Sequence, residues 1–183
     1  MNKEIEIKVR VKSLKAVKET IAKVCSFIKE IRQKDTYYVP THKDFFTEKR
    51  VTEFFRVREQ EGKDQVAYHK VIDLDKKTEH SQEYEVGIDD PKKLKTILGF
   101  LGFKEAFIID KHREYWQCGN FEVVLDNVKD LGEFIEVEVI NSEKTKNFTK
   151  EYCLNFLKEH NISFLENISS SYPELMREHH KKL

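Results

Sequence analysis

Residues 4–11, Glu4-Ile5-Glu6-Ile7-Lys8-Val9-Arg10-Val11, alternate charged and apolar side chains without a break. Successive side chains of a strand point to opposite faces, so this rhythm predicts a strand. Ile5, Ile7 and Val9 share one face and Glu4, Glu6 and Lys8 the other, with the two carboxylates about 6–7 Å apart. The same inverted pattern returns at Phe55-Arg56-Val57-Arg58, Tyr68-His69-Lys70-Val71, Glu83-Tyr84-Glu85-Val86, Lys111-His112-Arg113, Val124-Leu125-Asp126 and Ile135-Glu136-Val137-Glu138-Val139. Between these strands the period changes. Ser13 is an N-cap for a helix over 14–29, with Leu14, Val17, Ile21, Val24 and Ile28 at helical spacing. Asp90-Pro91 starts a second helix ending near Gly102, and Ser142 caps a third that runs to 159 and stops at Asn161. Ser171-Tyr172-Pro173 starts a short last helix. Further strands are predicted over 30–39, 53–60, 64–73, 79–88, 104–118, 120–127 and 132–140, with a Gly119-Asn120 hairpin turn and a mobile loop over 41–52.

Eight hairpin-linked strands with amphipathic helices predict an α+β fold. The apolar faces, carrying Ile5, Ile7, Val57, Val86, Ile135 and Val137, need cover from the helices outside. The charged faces then line the interior of an eight-stranded antiparallel closed β-barrel, which also removes exposed edges. The expectation is a single domain over 1–183 enclosing a hydrophilic tunnel.

Composition narrows the chemistry. The 33 Lys+Arg balance 33 Asp+Glu, which argues against a nucleic-acid surface. No stretch approaches about 20 apolar residues, so no membrane span and a cytoplasmic location are expected. Cys25, Cys118 and Cys153 have no paired spacing and read as free thiols of a reducing compartment. Inside a barrel, like charges repel and lose hydration unless a ligand supplies the opposite charge. The cations Lys8, Arg56, Arg58, Lys70, Lys111 and Arg113 suit the oxygens of several phosphoryl groups. The acids Glu4, Glu6, Glu83, Glu85, Asp126, Glu136 and Glu138 suit hard divalent cations. Together they fit a metal–polyphosphate complex. His69 and His112 lie between these cations and are expected to point outward. Tyr115 and Trp116 read as packing, Tyr37 shares the parity of Asp35, and His179-His180-Lys181-Lys182 reads as a solvated tail.

The ordered motifs resemble the CYTH superfamily, the triphosphate tunnel metalloenzymes. Glu4-Ile5-Glu6-Ile7-Lys8 is similar to the ExExK signature, Gln33-Lys34-Asp35-Thr36-Tyr37-Tyr38 to the second-strand motif, Phe55-Arg56-Val57-Arg58 to the LRIR strand and Tyr68-His69-Lys70 to the TYK strand. Glu83-Tyr84-Glu85, Lys111-His112-Arg113, Leu125-Asp126 and Gly132-Glu133-Phe134-Ile135-Glu136-Val137-Glu138 follow in family order. Ser171-Tyr172-Pro173-Glu174-Leu175 resembles the SYxEL tail of the class IV adenylyl cyclase branch. The resemblance implies a small-molecule triphosphate substrate (ATP, thiamine triphosphate or tripolyphosphate), two Mg²⁺ or Mn²⁺ ions, and a homodimer. It places Glu6 and Glu138, supported by Glu4 and Glu136, as metal ligands, with Glu83, Glu85 and Asp126 as further candidates. Lys8, Arg56, Arg58, Lys70, Lys111 and Arg113 grip the phosphates, and Lys8, Lys111 and Asp126 hold catalytic positions. One departure is Ser81, where the family often carries Arg. Cyclisation of ATP to cyclic AMP and pyrophosphate is the activity implied first. A triphosphatase of the same fold and a non-catalytic polyphosphate- or nucleotide-binding module are the alternatives.

Overall fold

A computed structural model describes residues 5–48, 50–73, 80–140 and 149–181. Glu4, and the start of the third helix at Ser142, lie outside the described residues. Among the described residues, nine strands and four helices follow one another as β1 (Glu6–Val11), α1 (Leu14–Ile21), β2 (Ser26–Val39), β3 (Glu53–Gln60), β4 (Gln65–Asp73), β5 (His80–Gly87), α2 (Pro91–Phe100), β6 (Lys104–Cys118), β7 (Phe121–Val128), β8 (Gly132–Val139), α3 (Lys150–Glu159), β9 (Glu166–Ile168) and α4 (Tyr172–His180). The chain divides into two compact units, the first comprising 1–31 with 111–169 and the second 32–110 with 170–183.

The expected α+β class holds, and the expected closed eight-stranded barrel does not. The hydrogen-bonded order is β5-β4-β3-β2-β6-β7-β8-β1-β9, and among the described residues β5 and β9 are not partners. β1 gives one edge to β8 and the other to β9, which pairs Lys8, Val9 and Arg10 with Ile168, Asn167 and Glu166. Both of its edges are therefore taken along that stretch.

In the first unit, every apolar residue of β1, and Ile5 just before it, enters one core. Ile5, Ile7, Val9 and Val11 pack with Val123 and Leu125 of β7, Ile135 and Val137 of β8, Val17 and Ile21 of α1, and Cys153, Phe156 and Leu157 of α3. Burying such side chains contributes about 1.5–3 kcal/mol each, which outweighs the weak helix propensity of a short segment such as α1. Helix α1 starts under its Ser13 cap as expected but ends at Ile21 rather than 29. The chain turns at 22–25 and Ser26 already belongs to β2, leaving Val24 and Ile28 exposed. That turn brings Cys25 beside Cys118 at the end of β6, with 4.5 Å between their Cα atoms, and the two form a disulfide. The expectation of three free thiols is corrected, and with it the argument from cysteines to a reducing compartment. A separation of 93 residues carried no sign of the pairing. Cys153 alone is free, and it is buried.

In the second unit, Tyr38, Val57 and Leu98 form the centre of a core that includes Phe55, Val66 and Leu94, so α2 covers the apolar face of β3 and β4. Asp90 caps α2, accepting from the Lys93 backbone N–H, with Pro91 at the first helical position. Val86 departs from expectation: it is exposed on the outermost strand. Helix α4 opens with a capping box in which Ser171 and Glu174 satisfy each other's backbone N–H groups. No described helix is long and apolar enough to cross a membrane.

Candidate functional site

Strand register places the charged residues of the first unit in cross-strand rows on the face opposite its core. One row runs Glu6–Glu138–Glu122 across β1, β8 and β7. The next runs Lys8–Glu136–Val124–Tyr115, and a third Arg10–Phe134–Asp126–Arg113. Directly opposed like charges destabilise a sheet unless something neutralises them, and the first row is three carboxylates deep. The second row is internally balanced, with Lys8 Nζ 3.3 Å from Glu136 Oε1.

Arg113 is the hub of this face. Its Nε donates to Asp126 Oδ1 at 2.7 Å, its Nη2 donates to Asp126 Oδ2, and the same Nη2 donates to Glu136 Oε2 at 2.7 Å. Asp126 is fully buried. Burial by itself disfavours the guanidinium charge, but Glu136 and Asp126 reverse the balance and hold Arg113 well above its ordinary range. Lys111, two residues earlier on the same face, is 6% exposed. His112 lies between them in sequence, points the other way and approaches Glu30 at 3.6 Å, as expected. Trp116 packs in the core against Phe27. Tyr115 does not join it: it shares the face of Arg113, whose guanidinium lies 5.8 Å from its ring centre.

The second unit has its own charged face, built on the same device. Asp35, 1% exposed, accepts from Arg58 through both oxygens, at 2.6 and 2.7 Å. Arg56 stands opposite Tyr37 and Ala67, with Glu85 beyond in the same row. Its Nη2 lies 3.4 Å from Glu85 and 3.8 Å from Glu83. Burial works against the Arg56 charge, while Tyr37 and Asp35 outweigh it and raise the pKa. Arg56 Nε is buried with no hydrogen-bond acceptor among the described residues. Tyr37, in turn, is pushed up to about 12, first by burial and then by Asp35.

Lys70 and His69 are placed the opposite way from the expectation. Arg56 pairs with Ala67, and Lys70 is three residues further along β4, an odd step that puts it on the other face. There it stands opposite Glu53, exposed to solvent. His69 takes the place on the Arg56 side, opposite Glu83, with its ring stacked on Phe54 at 4.7 Å. Burial lowers its pKa.

Sequence reasoning thus assembled Glu6, Lys8, Lys111, Arg113, Asp126, Glu136 and Glu138 on one face of the first unit, and Arg56, Arg58, Glu83 and Glu85 on one face of the second. It missed Asp35 and Glu122 as site residues. The parity of Asp35 with Tyr37, and of Glu122 with Asp126, was the available signal. No three His, Cys, Asp or Glu side chains among the described residues are close enough to hold a metal by themselves. Oxygen donors in opposed pairs still fit Mg²⁺ or Mn²⁺, since Mg²⁺ commonly takes only one or two carboxylates and completes its shell with water and substrate phosphate.

Comparison with known proteins identifies the family. Residues 2–172 match the CYTH domain family. A protein of Methanocaldococcus jannaschii named "putative adenylate cyclase" is 36% identical over 136 residues, 74% of this chain and 75% of that one. A solved structure from Pyrococcus horikoshii superposes with a TM-score of 0.69 at 26% identity, covering 94% of this chain and 99% of that one. An adenylyl cyclase-like protein from Hippeastrum, described as having a dominant triphosphatase activity, shares the fold with a TM-score of 0.68 at 20% identity, covering 96% of each chain. With opposed carboxylates, arginines backed by buried aspartates and a family match over nearly its whole length, the chain belongs to the CYTH family.

Proposed function

We propose that this protein is a metal-dependent enzyme acting on a triphosphate, and that ATP cyclisation to cyclic AMP and pyrophosphate is its reaction. The observation that carries the triphosphate reading is the Glu6–Glu138–Glu122 row beside the cations Lys8, Lys111 and Arg113 on one sheet face. Pure anion binding gains nothing from three aligned carboxylates. A divalent ion held by Glu6 and Glu138 would neutralise phosphate charge and acidify the attacking hydroxyl or water.

The side chains supply positioning, which dominates phosphoryl and nucleotidyl transfer. Asp126 accepts both arms of Arg113 and so fixes the direction of the guanidinium that meets the phosphate. Glu136 does the same for Lys8 from its other oxygen. Lys111 brings a further cation to the charge that develops on the leaving group. The second unit's own face carries Arg56 and Arg58, cations suited to phosphate oxygens, and the orphaned Nε of Arg56 gains an acceptor when an anion arrives there. The cyclase assignment is favoured by the name of the archaeal relative. Triphosphate hydrolysis is the second reading, supported by the activity described for the Hippeastrum protein.

Product analysis by ³¹P NMR with Mg²⁺ or Mn²⁺ separates them. Cyclic AMP and pyrophosphate from ATP are expected. Orthophosphate released faster from tripolyphosphate or thiamine triphosphate than from ATP would make it a triphosphatase. No turnover of any substrate would sink both and leave a binding module. Glu6→Gln/Glu138→Gln should fall to the level of a contaminant control.

The second unit gives a sharper internal contrast. Arg56→Ala is expected to lower kcat/KM by about 100-fold, within the range for losing a charged phosphate contact of roughly 2–3 kcal/mol. Lys70→Ala, on the opposite face, should stay within about twofold. Equal losses in the two variants would refute the placement of Lys70.

A further inference from the structure

The tail around Ser171 and Glu174 has no part in the chemistry above, yet it makes specific contacts. Helix α4 belongs to the second unit, as do β3 and the segment that precedes it. Glu174 has two jobs. Its Oε2 accepts from the Ser171 backbone N–H at 2.7 Å and closes the capping box, while its Oε1 accepts from the Val51 backbone N–H at 2.9 Å. One turn further, Arg177, 7% exposed, donates through Nη1 to the Glu48 carbonyl and, at 3.5 Å, to the Phe46 carbonyl. These are side chains reaching backbone groups of a segment that the sequence reads as a mobile loop.

What the loop carries explains why holding it matters. Phe46 is buried, with its ring 4.7 Å from Phe107 and 6.2 Å from Tyr37. Tyr37 stands directly opposite Arg56 in the β2–β3 register and helps to hold its charge. A second route is shorter still: Val51 is followed two residues later by Glu53, the first residue of the strand that bears Arg56 and Arg58. Both routes end at the same guanidinium.

We propose that Glu174 and Arg177 are positioning residues, which fix Phe46 and Val51 so that Tyr37 and β3 hold Arg56 in its phosphate-binding pose. This rests on the reading of Arg56 as a phosphate contact. The consequence is that α4 sets triphosphate affinity without touching the triphosphate. Packed aromatic rings and buried charge-assisted hydrogen bonds transmit such constraints because they cannot deform continuously.

The test is a double-mutant cycle on the Kd of tripolyphosphate, measured calorimetrically with Mg²⁺ on the full chain. Glu174→Gln and Arg177→Met are each expected to weaken binding by about tenfold, which is about 1.4 kcal/mol. Arg177→Lys, which keeps a charged donor, should recover part of the loss. In an Arg56→Gln background the α4 substitutions should have almost no further effect, because residues that act through one another are not additive. Hydrogen exchange supplies a second readout: the amides of Phe46, Val51 and Tyr37 should lose protection in Glu174→Gln while those of the first-unit core do not. Additive losses in the cycle, or unchanged exchange at Tyr37, would overturn the proposal. Wild-type protein that binds no tripolyphosphate would instead overturn the function itself, and because exchange is read without ligand the two failures are distinguishable. Should Arg177→Met not fold, Glu174→Gln and Arg177→Lys carry the cycle.

Discussion

Arg113→Met is expected to cost about 3–5 kcal/mol of folding stability and to remove detectable turnover. The magnitude follows from what the substitution leaves behind. Asp126 is fully buried and both of its oxygens are occupied by Arg113. Truncating one partner of a buried pair takes from the other charge the hydrogen bonds that offset its desolvation, which is far costlier than the net worth of the pair. Glu136 suffers less, because Lys8 remains 3.3 Å from its second oxygen. The diagnostic variant is the double, Arg113→Met/Asp126→Leu. Replacing a buried ion pair with apolar side chains of similar size is often close to neutral, so most of the stability should return while turnover does not. Urea denaturation followed by circular dichroism reads the first quantity, and the ³¹P assay the second. A single variant that loses less than about 1 kcal/mol would show that Asp126 is accommodated in some other way. A double variant that regained activity would remove Arg113 from the chemistry.

The alternation of charge and apolarity makes this face legible in the sequence alone. Glu6, Lys8, Glu136 and Glu138 sit where period two puts them, and Asp90-Pro91 and Ser171 cap the helices they were expected to cap. These are local signals, and the physics that sets them is local too. What escaped notice was set by pairing between distant segments. Lys70 and His69 could not be sorted from sequence because nothing in β4 itself says which residue lies opposite Arg56; the register with β3 decides it, and a shift of one exchanges the faces. β9 has only three residues, too few to display a period, and is recognisable only by its pairing with β1. The helical spacing at Val24 and Ile28 continued past Ile21, but no core awaited those positions, and extended pairing in β2 took the segment from Ser26 onward. Asp35 falls within a sequence motif, and its place as the brace for Arg58 appears only once β2 and β3 are laid side by side. Periodicity identifies a face, whereas register decides which residues on it meet.

The disulfide offers the other large effect. Cys25 and Cys118 close a loop of 93 residues, so their link removes a great deal of freedom from the unfolded chain. On the loop-closure account, which is model-dependent, that is worth roughly 4–5 kcal/mol, and for a protein of this length it corresponds to a fall in Tm of about 10 °C or more on reduction. Cys118→Ser should lower Tm by a similar amount in the absence of reductant and should then be insensitive to reductant, whereas the parent protein responds to it. Thiol counting checks the premise directly. The sequence has three cysteines, and Cys153 is fully buried, with burial pushing its thiol up to about 11. Native protein at pH 8 should therefore show almost no reactive thiol, since the reactive form is the thiolate and this one is both protonated and inaccessible. Denaturation without reductant should release one thiol, and denaturation with reductant all three. The location of the bond gives the stability effect its meaning for the site. It ties the turn between α1 and β2 to the end of β6, the strand that carries Lys111 and Arg113, so reduction frees that turn from the far end of the strand. Three thiols from denatured, unreduced protein would refute the bond, and an unchanged Tm on reduction would refute its contribution.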